Sequence, residues 1–156
     1  MIDPDPAPDP AMDPMAGADE ARQLARGVAR WLRDLGYNAL PEFRLSNGRR
    51  ADVAGLDRKG RFIIVEIKVS EADLRADGKW PEYLDFCDRF YFAVPEGFPH
   101  ELLPDGHGIV VADAFGSAVI REPEEQKMKP ARRTAQTRRF AMTASARLRP
   151  FLDPRL

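Results

Sequence analysis

The segment Phe62-Ile63-Ile64-Val65-Glu66-Ile67-Lys68-Val69 constrains the fold more than any other stretch of the chain. It is a continuous apolar run of strand length, rich in β-branched residues, the pattern of a central strand covered on both faces. Glu66 and Lys68 interrupt it. Two residues apart on a strand, they project from the same face. A lone buried charge is costly, so such a position calls for a close partner, a metal or a water-filled cleft. Asp52, in Arg50-Ala51-Asp52-Val53, lies one hairpin earlier.

The surrounding pattern supplies the rest of a mixed sheet. Residues 19–35 form an amphipathic helix with Leu24, Val28, Trp31, Leu32 and Leu35 on one stripe, stopped by Gly36. Three strands follow as a meander, at residues 38–45, 50–56 and 62–69, with Ser46-Asn47-Gly48 and Asp57-Arg58-Lys59-Gly60 as turns. A helical segment, broken near Gly78, fills residues 71–87 and leads to a fourth strand, Arg89-Phe90-Tyr91-Phe92-Ala93-Val94. That crossover predicts that the third and fourth strands are parallel. A fifth strand at 108–112 and a weak sixth at 118–121 precede a final helix that opens at Pro130 and runs to about Arg149, with Phe140, Ala141, Ala144 and Leu148 as its buried stripe. The expectation is one α/β domain over residues 18–150, between a disordered Asp/Pro-rich tail at 1–17 and a short tail at 151–156.

The 156 residues, 31% charged and 44% hydrophobic, suffice for one domain with a real core. No apolar stretch approaches the roughly 20 residues that cross a bilayer. The N-terminus lacks a basic-then-apolar leader pattern, which leaves a cytoplasmic protein as the expectation. Cys87 is the only cysteine, so an internal disulfide and a multi-cysteine zinc site are excluded. It reads as a small apolar packer, and His100 and His107 read as surface loop residues without zinc-ligand spacing. The net charge of -1 conceals an asymmetry: residues 1–20 carry six acids and no base, residues 127–149 eight bases and no acid. The basic arm suits an anionic polymer such as DNA.

Phosphodiester hydrolysis needs charge stabilisation on the phosphate and a water activated at neutral pH, and a divalent cation supplies both. Mg²⁺ prefers oxygen, typically one or two carboxylates with several waters. Asp52 and Glu66 provide these if their strands are neighbours, and Lys68, one step along the same face, is placed to orient the water or neutralise developing charge.

Asp52 followed by Glu66-Ile67-Lys68, in a helix–meander–helix–strand order, resembles the PD-(D/E)xK, or restriction-endonuclease-like, nuclease superfamily. Arg49-Arg50-Ala51-Asp52-Val53, Val65-Glu66-Ile67-Lys68, Lys79-Trp80-Pro81-Glu82-Tyr83 and Cys87-Asp88-Arg89-Phe90-Tyr91-Phe92-Ala93-Val94-Pro95 together resemble the bacterial MmcB family, to which an endonuclease role in DNA repair is ascribed. The resemblance implies a restriction-endonuclease-like mixed sheet flanked by helices. It implies Asp52 and Glu66 as ligands of Mg²⁺ or Mn²⁺, the Ile67 carbonyl as a further ligand, and Lys68 as base or water-orienting group. Ala51 replaces the nominal proline of the superfamily. A third acid would come from the first helix, as Glu20, or the first strand, as Glu42; strand adjacency favours Glu42. Lys79 and Tyr83, at i and i+4 of one helical face, resemble a helical Gln-x-x-x-Tyr element and imply a phosphate contact and a stacking or hydrogen-bonding role. Trp80 is read as core.

The expected function is therefore metal-dependent DNA cleavage in repair, with Arg132 and Arg133 of the basic helix on phosphates and other repair proteins as further partners. The alternative is a nuclease fold that recognises DNA structure or a repair protein without cutting. A structural scaffold with no nucleic-acid affinity, its basic arm plain solubilising charge, is the third reading; for Asp52, Glu66 and Lys68 themselves the alternative is a solvated sheet face with cross-strand ion pairs.

Overall fold

A computed structural model describes residues 14–155. The chain forms α1 (Pro14–Asp34), β1 (Tyr37–Arg44), β2 (Arg50–Asp57), β3 (Phe62–Ile67), α2 (Glu71–Ala76), β4 (Arg89–Val94), β5 (Gly108–Ala112), β6 (Ser117–Arg121) and α3 (Pro130–Leu152), with 3₁₀ turns at Trp80–Phe86 and His100–Leu102. The six strands lie side by side in sequence order in one open sheet. β1, β2 and β3 pair antiparallel, β3 with β4 and β4 with β5 parallel, and β5 with β6 antiparallel. The meander and the parallel crossover strand are thus as the sequence predicts.

Two apolar clusters sandwich the sheet. Trp31, Leu32 and Val28 of α1 cover Val53, Ile63, Val65 and Tyr91 on one face. On the other, Phe43, Phe62, Ile64, Phe90 and Phe92 meet the 3₁₀ turn and Phe140 of α3. All six residues of β3 are buried, as a central strand requires.

Several boundaries differ from the sequence reading. α1 starts at Pro14, so residues 14–18 belong to it, and Leu35 lies exposed just past its end. The rest of the expected tail, residues 1–13, lies outside the described residues. The segment 71–87 is not one interrupted α-helix. α2 ends at Ala76, and after Asp77–Lys79 the chain tightens into 3₁₀ geometry. α3 continues to Leu152 through Pro150 and buries Gln136 and Phe140, while Ala141 and Leu148 are exposed. Its anchor is partly polar: Gln136 Nε2 donates to the Phe86 carbonyl at 2.7 Å, and Phe140 meets Phe43 and Phe62 edge-on or tilted at 5.4 and 6.1 Å between centroids. Nor is His107 a surface residue: its ring packs against Trp80 at 4.8 Å, confirming Trp80 as part of the apolar layer.

α1 contacts every strand of the sheet. One residue fixes how close it lies. A Cβ built on Gly27 would sit 1.8 Å from the Asp113 carbonyl oxygen and 2.7 Å from that of Gly116, both backbone atoms of the β5–β6 turn. Gly27→Ala must lift the helix, and overpacking of this kind costs about 3 kcal/mol. Urea unfolding of Gly27→Ala should show that loss, whereas Gly17→Ala, with open space around it, should be neutral or slightly stabilising.

Candidate active site

The β2–β3 ladder runs from Leu56↔Phe62 to Val53↔Val65 and stops. Beyond it, side chains take over the backbone's hydrogen bonds. Asp52 N–H donates to Glu66 Oε1 at 3.2 Å, and Ile67 N–H donates to Asp52 Oδ2 at 2.8 Å. Two interior N–H groups that would otherwise lack partners are satisfied by the two carboxyl groups. The two carboxyls thus lie side by side, close enough for each to act on the other's charge. On its far side β3 keeps its parallel partner, with Lys68 N–H on the Ala93 carbonyl at 2.9 Å.

A kink in the outer strands makes the gap. Leu40 and Phe43 of β1, three residues apart, pack into the same cluster, as do Ala51 and Ala54 of β2. Strict alternation would put each pair on opposite faces, so the pleat slips by one in both strands. The slip centres on Glu42, whose φ of 48° is left-handed and unusual for a side chain of that size. Arg147 of α3 holds the kink, donating to the Pro41 carbonyl and, at 2.8 Å, to that of Glu42.

Glu66 and Lys68 are each only 5% exposed. Lys68 Nζ lies 2.7 Å from Asp77 Oδ2 and 3.8 Å from Glu66 Oε2. Burial, then the neighbouring Asp52 charge, pushes the Glu66 carboxyl up to about 8. Burial also raises Asp52, against the lowering effect of the Ile67 N–H and Lys68. For Lys68, burial favours the neutral amine, but the Asp77 hydrogen bond and the Glu66 charge outweigh it and hold the ammonium above its ordinary value.

These groups floor an open cleft of about 830 Å³. Its walls are Ala18, Ala21, Arg22, Ala25, Arg26 and Ala29 of α1, Pro41 and Glu42 of β1, and Asp73 of α2. The structure therefore brings together Asp52, Glu66, Ile67 and Lys68, with Glu42 on the rim; Glu20 does not line the cleft. Among the described residues, no three His, Cys, Asp or Glu side chains form a ready metal cluster. Two buried, mutually repelling oxygen donors nevertheless suit a hard cation that keeps several waters.

Three sequence assignments fail on geometry. Arg133 is committed to the protein: it clamps Asp88 through both nitrogens at 2.6 and 2.8 Å and reaches the Gly60 carbonyl at 2.6 Å. Tyr83 is buried, stacks on Phe90 at 6.3 Å and donates its hydroxyl to the Arg50 carbonyl at 2.9 Å, so it supports β2 rather than meeting a substrate. Lys79 is exposed at the head of the 3₁₀ turn, outside the cleft; 3₁₀ geometry aligns i with i+3 and separates it from Tyr83. Arg132 is half-exposed over the Phe86 ring and lines a second groove along α3 with Lys129, Arg138 and Arg139. Cys87 is buried and donates toward the Tyr83 carbonyl; burial pushes its thiol up, away from nucleophilic use.

Four site residues escaped the sequence reading. Asp73 carried a signal, since Ser70-x-x-Asp73 is a helix-start motif, and Asp73 N–H indeed donates to Ser70 Oγ at 3.1 Å. Asp77 carried none. Arg22 and Arg26 follow from i, i+4 spacing on the face of α1 flanking its buried stripe.

The chain belongs to the MmcB-like family: the family described as DNA repair protein MmcB-like matches residues 7–155. A solved structure from Silicibacter pomeroyi, a protein of unknown function, is 45% identical and superposes with a TM-score of 0.83 over 87% of this chain and 93% of its own. No curated protein matches.

Two outcomes follow from the charges. Glu66 is an acid with a raised folded-state pKa, so between about 4.5 and about 8 the folded protein binds more protons than the unfolded chain. Stability should fall as pH rises through that window. Glu66→Gln should flatten this slope in urea titrations at stepped pH. Separately, Arg133→Met strands the buried Asp88 carboxylate and should cost about 3 kcal/mol, measured by denaturant unfolding, while Arg132→Gln should cost less than about 1 kcal/mol.

Proposed function

We propose that this protein is a metal-dependent DNA endonuclease of the PD-(D/E)xK type, acting in DNA repair. The carrying observation is the paired carboxyls of Asp52 and Glu66, inserted where two strands part and facing the same cleft as Lys68. The family's description as DNA repair proteins supports the setting.

In this reading Asp52 and Glu66 hold Mg²⁺ or Mn²⁺, with the Ile67 carbonyl beside them. When bound, the ion supplies an activated water and neutralises phosphate charge. The protein's own residues do the positioning. Their hydrogen bonds to Ile67 N–H and Asp52 N–H keep the two carboxyls from swinging. Asp77 anchors the Lys68 ammonium, which acts as a fixed cation and donor toward the attacking water or the developing phosphorane charge. An ammonium so paired is unsuited to be the proton acceptor, so the base role implied by the superfamily resemblance is set aside here. Glu42, on a left-handed rim residue and 3.9 Å from Arg50, is the reserve acid. Glu66 would have to give up the proton that burial favours in order to hold a cation, so affinity would rise with pH.

The rival is a DNA-binding module without turnover, and the lack of a three-carboxylate cluster among the described residues favours it. Metal separates the two. Labelled single-stranded, nicked, branched and duplex DNA, incubated with Mg²⁺, Mn²⁺ or EDTA, should be cut only with metal and not by Asp52→Asn. Mg²⁺ or Mn²⁺ should raise the melting temperature of wild type and leave Asp52→Asn unmoved. Binding that survives EDTA, without cleavage under any condition, sinks the enzyme. Lys68→Ala should lose roughly 100-fold in cleavage while keeping the metal-induced thermal shift; unchanged cleavage in a contamination-controlled sample would remove Lys68 from the mechanism.

A further inference from the structure

The cleft has an electrostatic problem of its own. Asp52, Glu66, Asp73 and Asp77 surround a single cation, Lys68, which is already matched to Asp77. An anionic phosphate approaching this floor meets net repulsion. A divalent ion held by Asp52 and Glu66 would answer part of that and would leave the flanking phosphates without a partner.

The α1 wall supplies what the floor lacks. Arg22 and Arg26 are one turn apart, exposed, and line the same cleft as Asp52 and Glu66. Among the described residues Arg22 pairs with the exposed Asp19 at i-3, a contact a phosphate readily displaces. Between and below the arginines the wall consists of Ala18, Ala21, Ala25 and Ala29. A wall of methyl groups lets a sugar–phosphate chain come close. Gly27 keeps α1 tight on the sheet and so sets the width of the space.

Burial then selects the ligand. Glu66 is only 5% exposed, below the α1 wall and the β1 rim. A duplex holds its phosphates on a stiff cylinder wider than its roughly 12 Å major groove and cannot fold one down onto so recessed a residue. A single strand can.

We propose that the α1 wall, through Arg22 and Arg26, is the strand-binding surface of the cleft, and that the cleft takes single-stranded DNA or the unpaired arm of a branched structure. The inference deepens the nuclease reading but does not need catalysis. The basic groove of α3, with Arg138 and Arg139, belongs to the helix packed on the other face of the sheet and plays no part in this selection.

Fluorescence anisotropy with a labelled single-stranded 12-mer, the matching duplex and a flapped duplex tests it, in Mg²⁺ with the Asp52→Asn protein and in EDTA with wild type. Single strand and flap should bind more tightly than blunt duplex. Arg22→Gln/Arg26→Gln removes two phosphate contacts and should flatten the salt slope for single strands by about 1.4 log units per log unit of salt, roughly a tenfold loss at 0.15 M. Its metal-induced melting shift, read in the otherwise wild-type protein, should be unchanged, because neither arginine is a ligand. Ala18→Trp fills the mouth of the wall at an exposed position without changing charge, and should weaken single-strand binding while sparing duplex. Wild-type affinity for single strands in the folded double mutant, or tighter binding of blunt duplex than of single strand by the parent protein, overturns the proposal. If wild type shows no metal shift and no cleavage yet loses single-strand binding on Arg22→Gln/Arg26→Gln, the nuclease reading falls and the strand-binding wall stands.

Discussion

Everything at the cleft depends on a substitution of carboxyl groups for backbone. β2 and β3 pair as far as Val53 and Val65. One residue further, the Asp52 and Ile67 N–H groups find carboxyl oxygens instead of carbonyls. Had the ladder continued, there would be no cavity; had the strands parted with apolar side chains there, two interior donors would stand empty at 1–3 kcal/mol each. Carboxyl groups solve the backbone's difficulty and create another, since two acids with interior surroundings repel. Burial and the neighbouring Asp52 charge both favour the protonated acid and raise Glu66 to about 8.

The kink that parts the strands is held from a distance. Glu42 adopts a left-handed conformation that its side chain does not favour. Arg147, more than a hundred positions along the chain, bonds the carbonyls on either side of that residue's nitrogen. The far half of α3 has little other reason to lie where it does, since Leu148, Phe151 and Leu152 are exposed and its buried residues end at Phe140. The basic helix is thus fastened twice: by Arg133, Gln136 and Phe140 to the core, and by Arg147 to the rim of the cleft.

The sheet was legible because each strand carried its own period and turn, and because a crossover between β3 and β4 admits one sense of pairing. Asp52, Glu66 and Lys68 were legible as residue types out of place in a buried run. What stayed hidden required three dimensions. Nothing distinguishes Arg132 from Arg133 locally; only the position of Asp88, 45 residues earlier, makes one a clamp and leaves the other over Phe86. Tyr83 was misread because a 3₁₀ turn and an α-helix share their local composition around Pro81 but not their phase. Leu148 was placed in a buried stripe by periodicity alone, on a helix that outruns the core it packs against. Asp77 sits in a turn with no motif, yet it anchors the Lys68 ammonium at 2.7 Å and helps hold it above its ordinary value.

That pairing also bears on why the cleft needs arginines on α1. An unpaired Lys68 would attract a phosphate by itself and would also cost much more to bury. Matching it to Asp77 makes burial tolerable and gives the ammonium a fixed direction, at the expense of its long-range pull on anions. The attraction must then come from groups that remain in water, where charge is cheap to keep and where a side chain can follow a flexible strand. Under the proposed strand-binding reading, Arg22 and Arg26, exposed on a helix locked in place by Gly27, meet those requirements, and Lys68 would keep the short-range task that a fixed donor performs best.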